Sequence, residues 1–216
     1  MTALDVFQEL SVAHPLGPAA ARAVILGALD DLWIHRPDAE LDASLDPLQS
    51  VLSLERPTTD KLPGVTLWMY SDKSGRLSVS NIVPITPGEL GLAGYNAALN
   101  HFLQAVIQPA CETSPLTVSI TPSTLSIQDW AGASAAKALT SFSNLANKST
   151  GRGHPRDEER WLAFLLEAHK SDSALTSEQL SRWLIEVARW PVDTAHQLAS
   201  EYALSRSLLS LHDKRY

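Results

Sequence analysis

One cysteine, Cys111, is all that the 216 residues contain. An internal disulfide and a cysteine-built zinc cage within one chain are therefore excluded. No run of about 18 apolar residues occurs, so no membrane-crossing helix is expected. The opening MTALDVFQEL carries Asp5 and Glu9 and lacks a basic start, so no secretory signal is expected either. Basic residues are scarce at the front. Residues 1–130 hold 6 Lys/Arg against 14 Asp/Glu and residues 131–216 hold 11 against 10, within a net charge of −7. An acidic front half repels phosphate backbones and favours basic partners. Together these absences predict a cytoplasmic protein that binds neither membrane nor nucleic acid.

Catalytic and metal motifs are also missing. The seven histidines, at 14, 35, 101, 154, 169, 196 and 212, never stand four apart as a helical metal pair would require. No HExxH, His-Cys cluster or Asp-rich calcium loop is present, and no metal or cofactor is expected. Gly-x-Ser-x-Gly is absent, and Gly132-Ala133-Ser134 lacks the strand–turn–helix setting of a nucleophile elbow. Cys111 stands beside Glu112, which disfavours a thiolate, and reads as a small buried residue. No catalytic residue is assigned.

What is present is a change of pattern along the chain. Leu4, Val6, Phe7 and Leu10 form a short apolar piece ending before His14-Pro15. A helix is predicted from Pro18 to about Arg36, stopped by Pro37, with PDAELDASLDP as an acidic loop. Strands are predicted over Leu48–Glu55, Val65–Tyr70 and Arg76–Val83, the last two joined by the polar turn Ser71–Gly75 as a hairpin. In Arg76–Val83 the faces are uneven, with Leu77, Val79 and Asn81 on one side and Ser78, Ser80 and Ile82 on the other. A helix over Glu89 to about Ala110 and a fourth strand at Leu116–Thr121 follow. From Trp130 onward only helical patterns remain: Ala133–Asn147, Pro155–His169, one opened by the capping box Thr176–Gln179, and one after Trp190-Pro191. Four of the six tryptophans lie in this part, as a helix-bundle core would require.

The predicted architecture is α+β. An antiparallel sheet of about four strands with two packed helices occupies 1–129, and a bundle of about four helices occupies 130–216. The second part is either an independent domain or packed onto the first as one unit.

Two surfaces stand out. The loop Asn147–Arg156 gathers Lys148, Arg152, His154 and Arg156 with two glycines ahead of a helix that Pro155 begins. Free backbone N–H groups and a helix dipole there suit an anion. The competing reading is a solvated link with local ion pairs, since Asp157, Glu158 and Glu159 follow at once. His154 reads as a helix cap rather than a general base, because no nucleophile accompanies it. The second surface is the acidic run Asp38, Glu40, Asp42 and Asp46, which suits a basic partner.

These features predict a non-enzymatic interaction protein, in the manner of a bacterial antitoxin or immunity partner, acting through its acidic surface on another protein or on its own copies. The alternative is a ligand-binding protein or enzyme with an anion site at 148–156, between the sheet domain and the helices.

Overall fold

The strand alternation of the front half is where the fold is built, and a computed structural model describes residues 3–43, 50–60, 62–88 and 90–215. The class is mixed α+β. The chain divides into two compact units. One is Val6–Ser123; the other joins Met1–Asp5 to Thr124–Tyr216. The division falls a few residues before the 129/130 boundary read from the sequence.

The first strand, β1 (Leu4–Asp5), belongs to the second unit. The first unit opens with β2 (Leu10–Ala13), which buries Leu10 and Val12 and turns Ser11 and Ala13 outward. Helix α1 (Pro18–Gly27) starts on Pro18 and buries Ala21 and Ile25. It stops well short of Arg36, because Asp30 Oδ1 accepts the amides of Leu32 (3.0 Å) and Trp33 (2.9 Å) and turns the chain. The chain continues as β3 (Ile34–His35) and then α2 (Pro37–Ala43). Pro37 thus begins a helix instead of stopping one, and the first seven of the eleven residues of the expected acidic loop are helical, with Asp38 and Glu40 in a first turn that favours acids.

Strands β4 (Val51–Arg56), β5 (Val65–Ser71) and β6 (Leu77–Pro84) follow. Leu48 and Gln49, where the sequence begins β4, lie outside the described residues. The β5–β6 hairpin closes on Gly75, whose φ of +78° is left-handed and suits a residue without Cβ. Helix α3 (Gly91–Phe102) passes through a π-helical stretch, Leu103–Ile107, into α4 (Gln108–Thr113). The wider turn admits Pro109, which lacks an N–H, into the first turn of α4. Strand β7 (Thr117–Ile120) completes the unit.

The sheet has six strands, not about four, in the order β3-β4-β5-β6-β2-β7, antiparallel throughout. The two unforeseen members are β2 and β3. In β5 the pleat is regular: Val65, Leu67 and Met69 are fully buried while Trp68 and Tyr70 are half-exposed. The buried face packs against α1 and α3, with Ile25, Leu99 and Phe102 in the same core.

In the second unit β8 (Thr124–Leu125) pairs with β1, and α5 (Ile127–Ala131), α6 (Ala133–Leu145), α7 (Pro155–Lys170), α8 (Ser177–Arg182) and α9 (Val192–Asp213) follow. A chain of rings fills its core. Trp190 stacks on Phe142 at 5.3 Å, Phe142 meets Trp161 at 5.1 Å, Trp161 meets Phe164 at 5.1 Å, and Phe164 stacks on Tyr202 at 5.6 Å. The polar ends are satisfied: Trp190 Nε1 donates to Ser143 Oγ at 2.8 Å and Tyr202 OH to the Leu175 carbonyl at 2.9 Å.

Candidate functional site

The sheet is parted between its fourth and fifth strands. Strands β2 and β6 pair only through Val12 with Leu77 and Ser11 with Ser78. Continued at that register, Leu10 would face Val79 and Glu9 would face Ser80. Instead a cleft of about 760 Å³ opens there, walled by residues 7–11 on one side and by 78–82 and Pro84 on the other. Leu90, Gly91 and Tyr95 at the start of α3 line it as well.

Both walls have a local cause. On β6, Trp68 pairs with Asn81 and Met69 with Val79, so Ser80 is an extra, unpaired residue. A β-bulge of this kind bends its strand and increases the local twist, carrying β6 away from β2. The slip also explains the uneven faces of the strand: Leu77, Val79 and Ile82 are all buried, because the inward phase moves by one residue at the bulge.

The opposite wall is held back by a buried amide. Asn96 on α3 accepts the Gln8 amide on Oδ1 at 2.9 Å and donates Nδ2 to the Val6 carbonyl at 2.8 Å, as a pairing strand would. Gln8 is tied further: its Nε2 reaches the Thr121 carbonyl at 3.0 Å and its Oε1 accepts from Asn100 at 2.7 Å. Asn96 and Gln8 are each 8% exposed, so this network is buried and satisfied. The cleft is thereby built into the fold.

Its described lining is mostly neutral. Serines 11, 78 and 119 with Asn81 offer neutral hydrogen bonds, Ser80 Oγ donates to the Trp68 carbonyl (3.3 Å), Thr121 Oγ1 accepts the Glu9 amide (2.7 Å), and Leu10, Val79 and Ile82 supply apolar surface. Phe7 is 57% exposed and meets Tyr95 edge-on at 5.0 Å. Among the described lining residues Glu9 alone is charged. Burial, with the Glu9 charge second, pushes the Tyr95 hydroxyl above its ordinary pKa and keeps it protonated. Among the described lining residues there is no histidine, cysteine or lysine.

The cationic loop is built otherwise. Lys148 Nζ donates to the Ala188 carbonyl, and Arg152 bridges Glu201 (2.6 Å) and Glu158 (2.5 Å). The Glu201 hydrogen bond leads in raising the Arg152 pKa above its ordinary value. His154 Nδ1 accepts the Arg156 amide at 3.2 Å and caps α7, as the sequence predicts, while the Arg156 side chain is exposed. Asp157, 6% exposed, pairs with Arg160 at 2.7 Å. Lys148 and Arg152 are thus directed to different protein acceptors. The loop fastens α7 to α9 and to the end of the π-helical stretch Trp183–Val187. A pocket of about 220 Å³ beside it contains the Arg152–Glu201 pair, whose carboxylate already neutralises the cation.

The acidic run is similarly committed where it is described. Asp38 pairs with Arg36 at 2.9 Å, which holds its carboxyl down to about 2. Glu40 accepts from Arg22 (2.7 Å), His35 (2.8 Å) and the Ser53 amide (2.9 Å). Burial pushes its pKa up, but the Ser53 amide, Arg22 and His35 together pull it below its ordinary value of 4.5. Asp42 shares α2 by its backbone, and Asp46 lies outside the described residues. Among the described residues no three His, Cys, Asp or Glu side chains gather as metal ligands, and no helix is long and apolar enough to cross a membrane.

One further polar group is unusual. Arg56, fully buried at the end of β4, lies over the Trp33 ring at 5.8 Å and donates Nη2 to the Pro63 carbonyl. Its Nε and Nη1 have no partner among the described residues, and burial lowers its pKa. It is sealed in the core and does not line the cleft.

Sequence reasoning passed over the cleft because serines and a lone asparagine carry no motif. Two signals were available: the slipped apolar phase of Arg76–Val83, and Asn96 on the inner side of a helix. Known protein families, curated proteins and solved structures provide no match to this chain.

Proposed function

We propose that this chain is a non-enzymatic protein-binding protein that holds an extended segment of its partner in the cleft between β2 and β6. The observation that carries this reading is the open side of β6 beyond Ser78: the strand pairs with β5 on one edge and, among the described residues, registers with nothing on the other. An unpaired strand edge is a template for another extended chain, and main-chain hydrogen bonds supply affinity there. From Val79 to Pro84 the edge runs about 17 Å at ordinary strand rise. Neutral serines along both walls suit hydrogen bonding to a backbone. An antitoxin- or immunity-like role is one form that such binding takes, and its support is the acidic balance of the sheet unit.

The test is a phage-displayed library of random 12-residue peptides panned on the purified full chain. Selected peptides are then followed by backbone amide NMR. Peptides that shift residues 7–11 and 78–82, and that lose binding to the cleft-filling variant Ser80→Trp, are the expected result. Failure to enrich any peptide, or shifts confined to other surfaces, would contradict the reading.

A further inference from the structure

Resting on that reading, we infer that the segment taken up carries a lysine or arginine, whose cationic end is held by the Glu9 carboxylate against the rings of Phe7 and Tyr95. Three independent observations converge on this corner of the cleft. The Glu9 carboxylate is exposed and has neither an ion pair nor a hydrogen bond among the described residues. Asp38 and Glu40, by contrast, are paired to cations of their own unit. Phe7 leaves more than half its surface open, although an aromatic ring serving only the core would be buried. Its edge-on contact with Tyr95 leaves ring faces available to a cation, and the faces of such rings are electron-rich.

The surrounding charge acts in the same direction. The unit Val6–Ser123 holds 6 Lys/Arg against 12 Asp/Glu, a balance of −6, and no described cation lines the cleft. A basic side chain is therefore drawn in by the field and meets one carboxylate without competition. Tyr95 stays neutral beside Glu9, so its ring adds cation–π attraction and its hydroxyl remains a donor. Neutral walls elsewhere give the backbone its hydrogen bonds, and this corner chooses the side chain. Affinity and specificity are divided in the way that strand addition requires.

The experiment uses the peptides selected above, each paired with an analogue in which the basic residue is replaced by methionine. The selected sequences are expected to share one Lys or Arg position. Glu9→Gln should weaken the basic peptide about 5-fold or more and Glu9→Lys further, with the loss reduced by added salt. The methionine analogue should bind wild type and Glu9→Gln alike, because the pair is already broken. Peptides that occupy the cleft without a shared basic residue, or that ignore Glu9→Gln, would overturn this inference and leave the cleft reading standing. If no peptide binds, both fall. L-arginine amide binding as tightly as the peptides would make the cleft a small-molecule site and overturn the extended-segment reading.

Discussion

The loop 148–156 and the cleft between β2 and β6 invert each other. The loop has the residues of a site, with three cations, two glycines and a histidine, and the fold uses Lys148, Arg152 and His154 internally on Ala188, Glu158, Glu201 and the α7 cap, while the Arg156 side chain stays exposed. The cleft has serines and a bulge, and the fold leaves it open. Charge concentrated in sequence invites local pairing, because opposite charges nearby neutralise one another. A backbone edge can be left unsatisfied only where the structure holds it apart. The availability of a group, rather than its type, separates these two regions.

Variants can break or sharpen that contrast. The largest effect belongs to the core that supports the loop. Trp161→Ala removes a ring that is 1% exposed between Phe142 and Phe164, and should cost about 3–5 kcal/mol in urea unfolding. Asn96→Ala frees the Val6 carbonyl and the Gln8 amide in a buried setting. A loss of about 2–3 kcal/mol is expected, together with weakened peptide binding, because the clamped wall is no longer held. Unchanged peptide affinity in that variant would mean that the clamp does not shape the cleft.

Glu40→Gln tests whether the acidic helix is structural. Glu40 is depressed in the folded state, so its contribution is fully present above its ordinary value of 4.5 and is lost as the pH falls through the lower folded value. The variant should therefore be about 2 kcal/mol less stable than wild type at neutral pH, with the two unfolding curves converging in acid. A constant gap across that range would show that the carboxylate charge is not what matters.

Arg56→Met should raise stability by about 1 kcal/mol, since a buried cation with unpaired donors is often improved by an apolar residue of similar size. A marked loss of stability would show that its contacts with Trp33 and Pro63 outweigh the desolvation it suffers. The smallest effect is expected from Arg152→Ala. Its pairs are partly exposed, and a change within about 1 kcal/mol is expected, with peptide binding untouched.

The legibility of the sequence followed the range of the interactions. Helices with their own caps, such as those opened by Pro155 and Thr176, were visible because their signals are local. Strands β4 to β7 showed by alternation. Strand β2 did not, because Leu10 reads with Leu4, Val6 and Phe7 as one short apolar piece and its place between β6 and β7 rests on partners more than 60 residues away. Pro37 was ambiguous because the same residue serves as a helix stop or as a first-turn residue. The cleft depends on Asn96 reaching Val6 and Gln8 across some 90 positions, and no local pattern encodes such a contact.

The most direct test is amide hydrogen exchange along β6, measured by NMR in the free chain and with a selected peptide bound. Fast exchange is expected in the free chain for the amides of Val79–Val83 that face away from β5, and protection of those amides by the peptide, with the 148–156 loop unchanged. Amides already slow throughout Val79–Val83, or protection appearing at the loop while β6 stays fast, would contradict the cleft reading.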